Sequence, residues 1–249
     1  MDWNAKQYDH QHDFVFKYGS ALLGYLPRSA STVLDIGCGT GELTHQIQQL
    51  GHRVTGIDQS AAMIHQATYQ FPEVNFQQGD ILHMPIAPAS YDVIFSNAVF
   101  HWIADQQHLT RILELALKPG GRLICEFGAQ GNIKAISDAF GTELAAIGKR
   151  YRSPFYFPSV PEYTQLLKTR HFIIVKAREY PRPTVLKGGW QGLRNWVRQF
   201  FAADLAELPN ADEILDNMEA RLKPILWRGD HWEADYRRIQ VIAQKQSAF

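Results

Sequence analysis

The stretch Val33-Leu34-Asp35-Ile36-Gly37-Cys38-Gly39-Thr40-Gly41 sets the reading of this chain. Residues Thr32–Ile36 are β-branched or leucine around one aspartate and read as a strand. From Glu42, Leu43, Ile47 and Leu50 recur along one helical face until Gly51 stops them. Strand, glycine turn and helix together lay bare main chain against a ligand and point a helix N-terminus at it. The spacing is not Gly-x-Gly-x-x-Gly, because the third glycine would fall on Glu42. Asp35 precedes the first glycine, and a carboxylate there suits a cationic group such as an α-ammonium better than a pyrophosphate.

Outward from this turn, short apolar runs alternate with helix-length segments, the pattern of a parallel sheet with crossover helices. Strands are expected at 53–57, 74–77, 91–96, 122–127 and 172–179, with a last one at 236–243. Helices are expected after Ser60, a capping residue, and at 106–117, 134–147 and 163–168. Lys118-Pro119-Gly120-Gly121 reads as a helix stop and tight turn, and 153–158 as an irregular aromatic and proline-rich connector. The composition between about 190 and 227 is helical and amphipathic.

The expected fold is α/β: a Rossmann-like seven-stranded, mostly parallel sheet with helices on both faces and a helical lid insertion between the last two strands. Residues 1–30 are expected to form an N-terminal helical segment closing over a ligand. Residues 31–186 and 235–249 form the core, and 187–234 the insertion.

The 249 residues are 45% hydrophobic and 20% charged, enough for a normal core. Lys plus Arg and Asp plus Glu each number 25, so the basic surplus of a nucleic-acid binder is absent. No signal-peptide layout opens the sequence, and no apolar run approaches the ~18 residues of a membrane span. Cys38 and Cys125 lack the spacing of a metal site. A cytoplasmic protein without a metal or membrane partner is expected.

Asp58 ends the second strand, where a carboxylate accepts hydrogen bonds from both ribose hydroxyls; it can equally cap the next helix. Gly79-Asp80-Ile81 after the third strand offers a carboxylate for an exocyclic adenine amine and an apolar side chain for the ring, or is simply a turn. With these residues in order, the chain resembles the class I S-adenosylmethionine-dependent methyltransferases. The match also takes in residues 92–97 and Leu117-Lys118-Pro119-Gly120-Gly121. The resemblance implies S-adenosyl-L-methionine as cofactor and S-adenosyl-L-homocysteine as product. It places Gly37, Cys38, Gly39 and Gly41 along the methionine and ribose, Asp58 with Gln59 at the ribose, Asp80 and Ile81 at the adenine, and Asn97 beside the methionine.

Trp3-Asn4-Ala5-Lys6-Gln7-Tyr8 and Ser96-Asn97-Ala98-Val99-Phe100-His101-Trp102, with the insertion, are similar to the trans-aconitate and malonyl-carrier-protein methyltransferases. That likeness implies that Tyr8 and Trp102 close over the cofactor, although a Trp at that place can also be core. The likeness implies a small-molecule acceptor, with a carboxylic acid as the leading candidate, and a carboxylate needs no base. Other acceptors usually need one, and His101 is the candidate by position, or else shapes the pocket. Arg194, Tyr236 and Arg237, with Arg198 and Arg238, would hold an acidic acceptor, or lie on a solvated charged face. Phe155, Tyr156, Phe157, Trp190 and Trp196 would line a lid or fill a small core. The alternatives are a cofactor-binding sensor or scaffold without turnover, and a macromolecular acceptor. A nicotinamide dehydrogenase comes last because of the glycine spacing.

Overall fold

The computed structural model describes residues 19–247, so Tyr8 and the rest of the opening motif lie outside the described residues. The main sheet has seven strands: β1 (Thr32–Ile36), β2 (Arg53–Asp58), β3 (Asn75–Gln78), β4 (Tyr91–Asn97), β5 (Leu117–Gly128), β6 (Phe172–Pro181) and β9 (Arg237–Lys245). Their order is β3-β2-β1-β4-β5-β9-β6. The pairs β1–β2, β1–β4, β2–β3 and β4–β5 are parallel. The expected α/β sheet is therefore present. A second, two-stranded antiparallel sheet pairs β7 (Thr184–Leu186) with β8 (Trp232–Ala234), which no sequence pattern announced.

The chain forms two compact units. One runs through Ala129 and takes in Phe155–Glu179 and the stretch from Ile239; the other is Gln130–Pro154 with Tyr180–Arg238. In the first unit the sheet buries a layer on each face. Leu34, Ile36, Ile94, Leu123 and Phe127 pack with Leu109 and Leu113 of α3 (Gln106–Ala116) and Tyr163 and Leu167 of α5 (Val160–Lys168). Val33, Val93, Phe95 and Ile124 pack on the other face with Leu22 and with Leu43 and Ile47 of α1 (Glu42–Gln49). This two-sided burial explains the continuous apolar runs of β4 and β5. Asp92 clasps the far end of the sheet. Its carboxylate accepts from the Thr32 amide at 2.8 Å and pairs with Lys118 at 2.8 Å, which hold its pKa down at about 2 against its partial burial.

Two expectations are corrected. The tight turn at Lys118-Pro119-Gly120-Gly121 does not precede β5 but lies within it, because the register with β4 jumps from Tyr91–Leu117 to Val93–Arg122. The helix α4 (Lys134–Ala146), expected in the core, belongs to the second unit. There Phe140 meets Tyr151 edge-on and Phe201 at a tilt, and Glu143 pairs with Arg221 of α8 (Ala211–Leu226) at 3.0 Å. That unit is completed by α6 (Gly192–Phe200) and α7 (Ala202–Ala206).

Candidate cofactor site

The sheet order reverses between β1 and β4, and in such sheets ligands lie outside the carboxyl ends at the reversal. The loop there is held from below. The Gly37 and Cys38 amides donate to the Ile57 carbonyl at 2.8 and 3.0 Å. Gly37 and Gly39 both have positive φ, +74° and +56°. They differ in surroundings. A Cβ on Gly37 would sit 2.1 Å from Val99, whereas one on Gly39 would meet nothing within 4 Å. Gly37 is thus required by packing, and Gly39 leaves bare backbone open to a ligand. Gly41 caps α1 at φ +89°, with Phe76 beneath it. Cys38 is buried, so its side chain faces the core and only its main chain belongs to the loop surface. Burial, chiefly, pushes its thiol well above the ordinary range.

Asp58 joins the loop to the second strand. One carboxylate oxygen accepts from the Gly39 amide at 3.0 Å and the other from the Ser60 amide at 2.9 Å. Burial raises its pKa, opposed by these two bonds. Ser60 itself caps α2 (Ala61–Gln70), so Asp58 is not that helix's N-cap. Each oxygen keeps a lone pair, enough for two ribose hydroxyls. Gln59 is exposed beside it. Asp80 closes a turn through the Leu82 amide and His83, and those bonds lower its pKa against desolvation. Ile81 packs in the core with Ile36 and Ile57.

Asp35 is 2% exposed, and the Thr44 hydroxyl donates to it at 2.6 Å. Burial raises its pKa to about 7, opposed by Thr44 and helped by Asp58. A cation nearby would restore its charge, in keeping with the expected ammonium. Asn97 closes β4; a Cβ on Gly19 would touch its amide at 2.7 Å. His101 and Trp102 stand in a short 3-10 turn, Phe100–Trp102. Trp102 meets Phe155 edge-on at 4.7 Å, and His101 stacks on Phe157 at 5.7 Å. The connector aromatics thus pack on this turn. His101 is 7% exposed, and the Gly128 amide donates to its Nδ1 at 3.4 Å. In the neutral ring that contact favours the tautomer with the proton on Nε2.

The expected acceptor residues lie in the second unit and are engaged there. Arg194 is 14% exposed, pairing with Glu219 at 3.1 Å, with Asp216, and with Asp212 at 3.4 Å. Three carboxylates from one face of α8 take four of its five N–H donors, so Arg194 ties α6 to α8. Tyr236 is buried, its hydroxyl accepting from the Trp196 indole at 2.6 Å. The Arg237 amide donates to the Asn132 side chain at 2.9 Å. Trp190 packs with Trp227 and Trp232 in a small aromatic core.

Sequence reasoning missed three residues that shape the site. A Cβ on Gly56 would lie 2.8 Å from Phe76 and 3.0 Å from Cys38, so a side chain there would displace the floor of the loop. Val99 fills the space left by Gly37. Glu126, a charge within the apolar run of β5, is the third and was the legible signal.

Among the described residues no group of three or more His, Cys, Asp or Glu is placed to hold a metal ion, and no helix is long and apolar enough to cross a membrane. Residues 34–125 match the family described as Methyltransferase domain. The chain is 30% identical to an uncharacterized methyltransferase of Schizosaccharomyces pombe over 98% of each chain. It is 32% identical to the trans-aconitate 2-methyltransferase of Deinococcus radiodurans over 80% of each. Its fold is similar to that of Haemonchus contortus phosphoethanolamine N-methyltransferase 2, solved with S-adenosylhomocysteine (TM-score 0.59, 20% identity, 93% of this chain and 53% of that one). With the open glycine loop and Asp58 fitting a ribose-linked cofactor, the chain belongs to the class I S-adenosylmethionine-dependent methyltransferases.

Proposed function

We propose that this enzyme methylates a carboxylate oxygen of a small organic acid. The observation that carries this reading is the His101 ring: with Nδ1 accepting from Gly128, the one base expected from the sequence favours the tautomer with its proton on Nε2. A carboxylate is ionised at pH 7 and gives up no proton on attack. The similarity to a trans-aconitate 2-methyltransferase supports the same acceptor class.

S-adenosylmethionine, when bound, supplies a methyl carbon whose bond to a positive sulfur breaks toward sulfur as the acceptor oxygen bonds to it. The protein's part is placement and exclusion of water. Gly39 leaves room for the ligand, Asp58 receives the ribose hydroxyls and Asp80 the adenine amine. Asp35 gains its charge beside the ammonium. The buried free thiols Cys38 and Cys125 fit a reducing compartment, and we assign the protein to the cytoplasm.

Methyl-labelled cofactor offered to panels of small carboxylic acids, phenols and amines tests this. The expected result is label in the acid panel that mild alkali releases as methanol. Alkali-stable label confined to phenols or amines would overturn the acceptor class and leave the methyltransferase assignment standing.

A further inference from the structure

The turn after β3 sends two apolar side chains inward and leaves two polar ones outside. Ile81 and Met84 pack in the core, whereas the side chains of Asp80 and His83 are 44% and 75% exposed. The backbone fixes this arrangement. The His83 and Met84 amides both donate to the Asp80 carbonyl, at 2.9 and 2.8 Å. The turn is also fastened to the strand that ends in Asp58. The Gly79 amide donates to the Asp58 carbonyl at 2.9 Å, and Gln78 pairs with Asp58 in register. Asp58 and Asp80 thus follow neighbouring strand ends, on the carboxyl side of the sheet where ligands lie.

The Asp80 carboxylate is held at both oxygens. Oδ1 accepts from the Leu82 amide at 2.9 Å, and Oδ2 meets His83 Nδ1 at 2.9 Å. A carboxylate only accepts, so Nδ1 carries the proton in that contact. The Leu82 bond alone leaves the carboxylate plane free to swing about Oδ1, and the His83 bond stops it. Each oxygen still keeps a lone pair. An exposed pair of this kind contributes little to folding. Its effect falls on how the carboxylate is presented to a ligand.

We propose that His83 is a positioning residue: it holds Asp80 in the orientation that reads the exocyclic amine of the cofactor's base, and so sharpens the choice of adenine over hypoxanthine. An amine donates to a carboxylate, whereas the carbonyl that replaces it in hypoxanthine offers only lone pairs and is repelled. Such discrimination needs a fixed acceptor, because a mobile carboxylate turns away from the carbonyl at small cost. The inference rests on the assignment of Asp80 to the adenine proposed above and is independent of the methyl acceptor.

The test is calorimetric titration with S-adenosylhomocysteine and S-inosylhomocysteine, which differ only in the base. The proteins are the wild type, His83→Ala, His83→Asn and Asp80→Asn. The ratio of the two affinities is the readout, so a loss common to both ligands cancels, and thermal melting checks the fold. His83→Ala is expected to reduce the preference for the adenine form about fivefold, the size of one modest hydrogen bond. His83→Asn keeps a donor near the place of Nδ1 and should hold the preference within about twofold of the wild type. An unchanged preference in His83→Ala, an increased one, or an equal fall in His83→Asn would overturn the positioning role. If Asp80→Asn kept the full wild-type preference, the adenine assignment of Asp80 would itself fail, and this inference with it. Failure of the wild type to bind either ligand would overturn the cofactor assignment.

Discussion

The Gly39 amide donates to a carboxylate oxygen of Asp58 at 3.0 Å, and this bond fastens the open glycine of the loop to the residue that ends the second strand. Loop and carboxylate are therefore tied together before any ligand arrives, which lowers the ordering cost of binding. Asp58→Ala removes the proposed ribose acceptor and frees two amides together. We expect cofactor affinity to fall by about 1–3 kcal/mol in calorimetry. Unchanged affinity would remove Asp58 from the site.

Gly37 and Gly39 share a left-handed backbone but should fail differently. Gly37→Ala drives a methyl group into Val99 and should lower stability by about 2–4 kcal/mol, strain and overpacking combined, seen as a reduced urea midpoint. Gly39→Ala meets nothing in the protein and should lower stability by only about 1 kcal/mol while reducing cofactor affinity. If both variants lost stability equally and bound normally, the open face would not be the ligand's.

Asp35 should make stability fall with rising pH. Its folded pKa of about 7 lies above the unfolded value of 3.8, so its contribution is full below pH 3.8 and is lost as pH climbs through 7. The ceiling on this effect is about 4 kcal/mol. Asp35→Asn should flatten the stability profile between those limits in urea titrations at several pH values. Binding a cationic ligand should lower the pKa and release a proton near pH 7. Calorimetry in two buffers of different ionisation enthalpy reads that proton directly, and equal heats in the two would contradict it.

His101 should be dispensable as a base. With its Nδ1 accepting from Gly128, His101→Gln is expected to lower kcat by less than about tenfold and to leave the pH–rate profile toward a carboxylic acid unchanged. A loss of about 10²–10⁴-fold, with disappearance of a limb of the profile, would restore the base role.

Arg194→Met should act on stability and not on the acceptor. Glu219, 8% exposed, would be left without its nearest cation, and breaking such a pair destabilises by about 3 kcal/mol. We expect an early unfolding transition with KM for the acceptor changed less than about twofold. A raised KM in a fully stable variant would return Arg194 to the acceptor site.

The parts of this protein that were legible in the sequence depend on local chemistry. β1 and α1 follow from residues a few positions apart, the Ser60 cap from one hydroxyl before a helical run, and the departure from a dinucleotide motif from the position of a single glycine. Hydrophobic period and turn chemistry act within one turn or one strand, so they survive in a linear reading. Asp58 and Asn97 were placed correctly at strand ends for the same reason.

What only tertiary structure decided is how distant charges and rings are matched. Arg194 looks in sequence like an anchor for an acid; its three carboxylates come from α8, 18 to 25 positions away. Glu126 gains its orientation from Gln240, 114 positions away, and Gln240 in turn from Tyr25. The tautomer of His101 depends on an amide at the end of β5. Electrostatics acts through space, and a sequence states which charges exist but not which of them the fold brings within 3 Å. The sequence alone thus determined the sheet and the cofactor loop, and the fold decided which side chains face that loop and which neutralise one another.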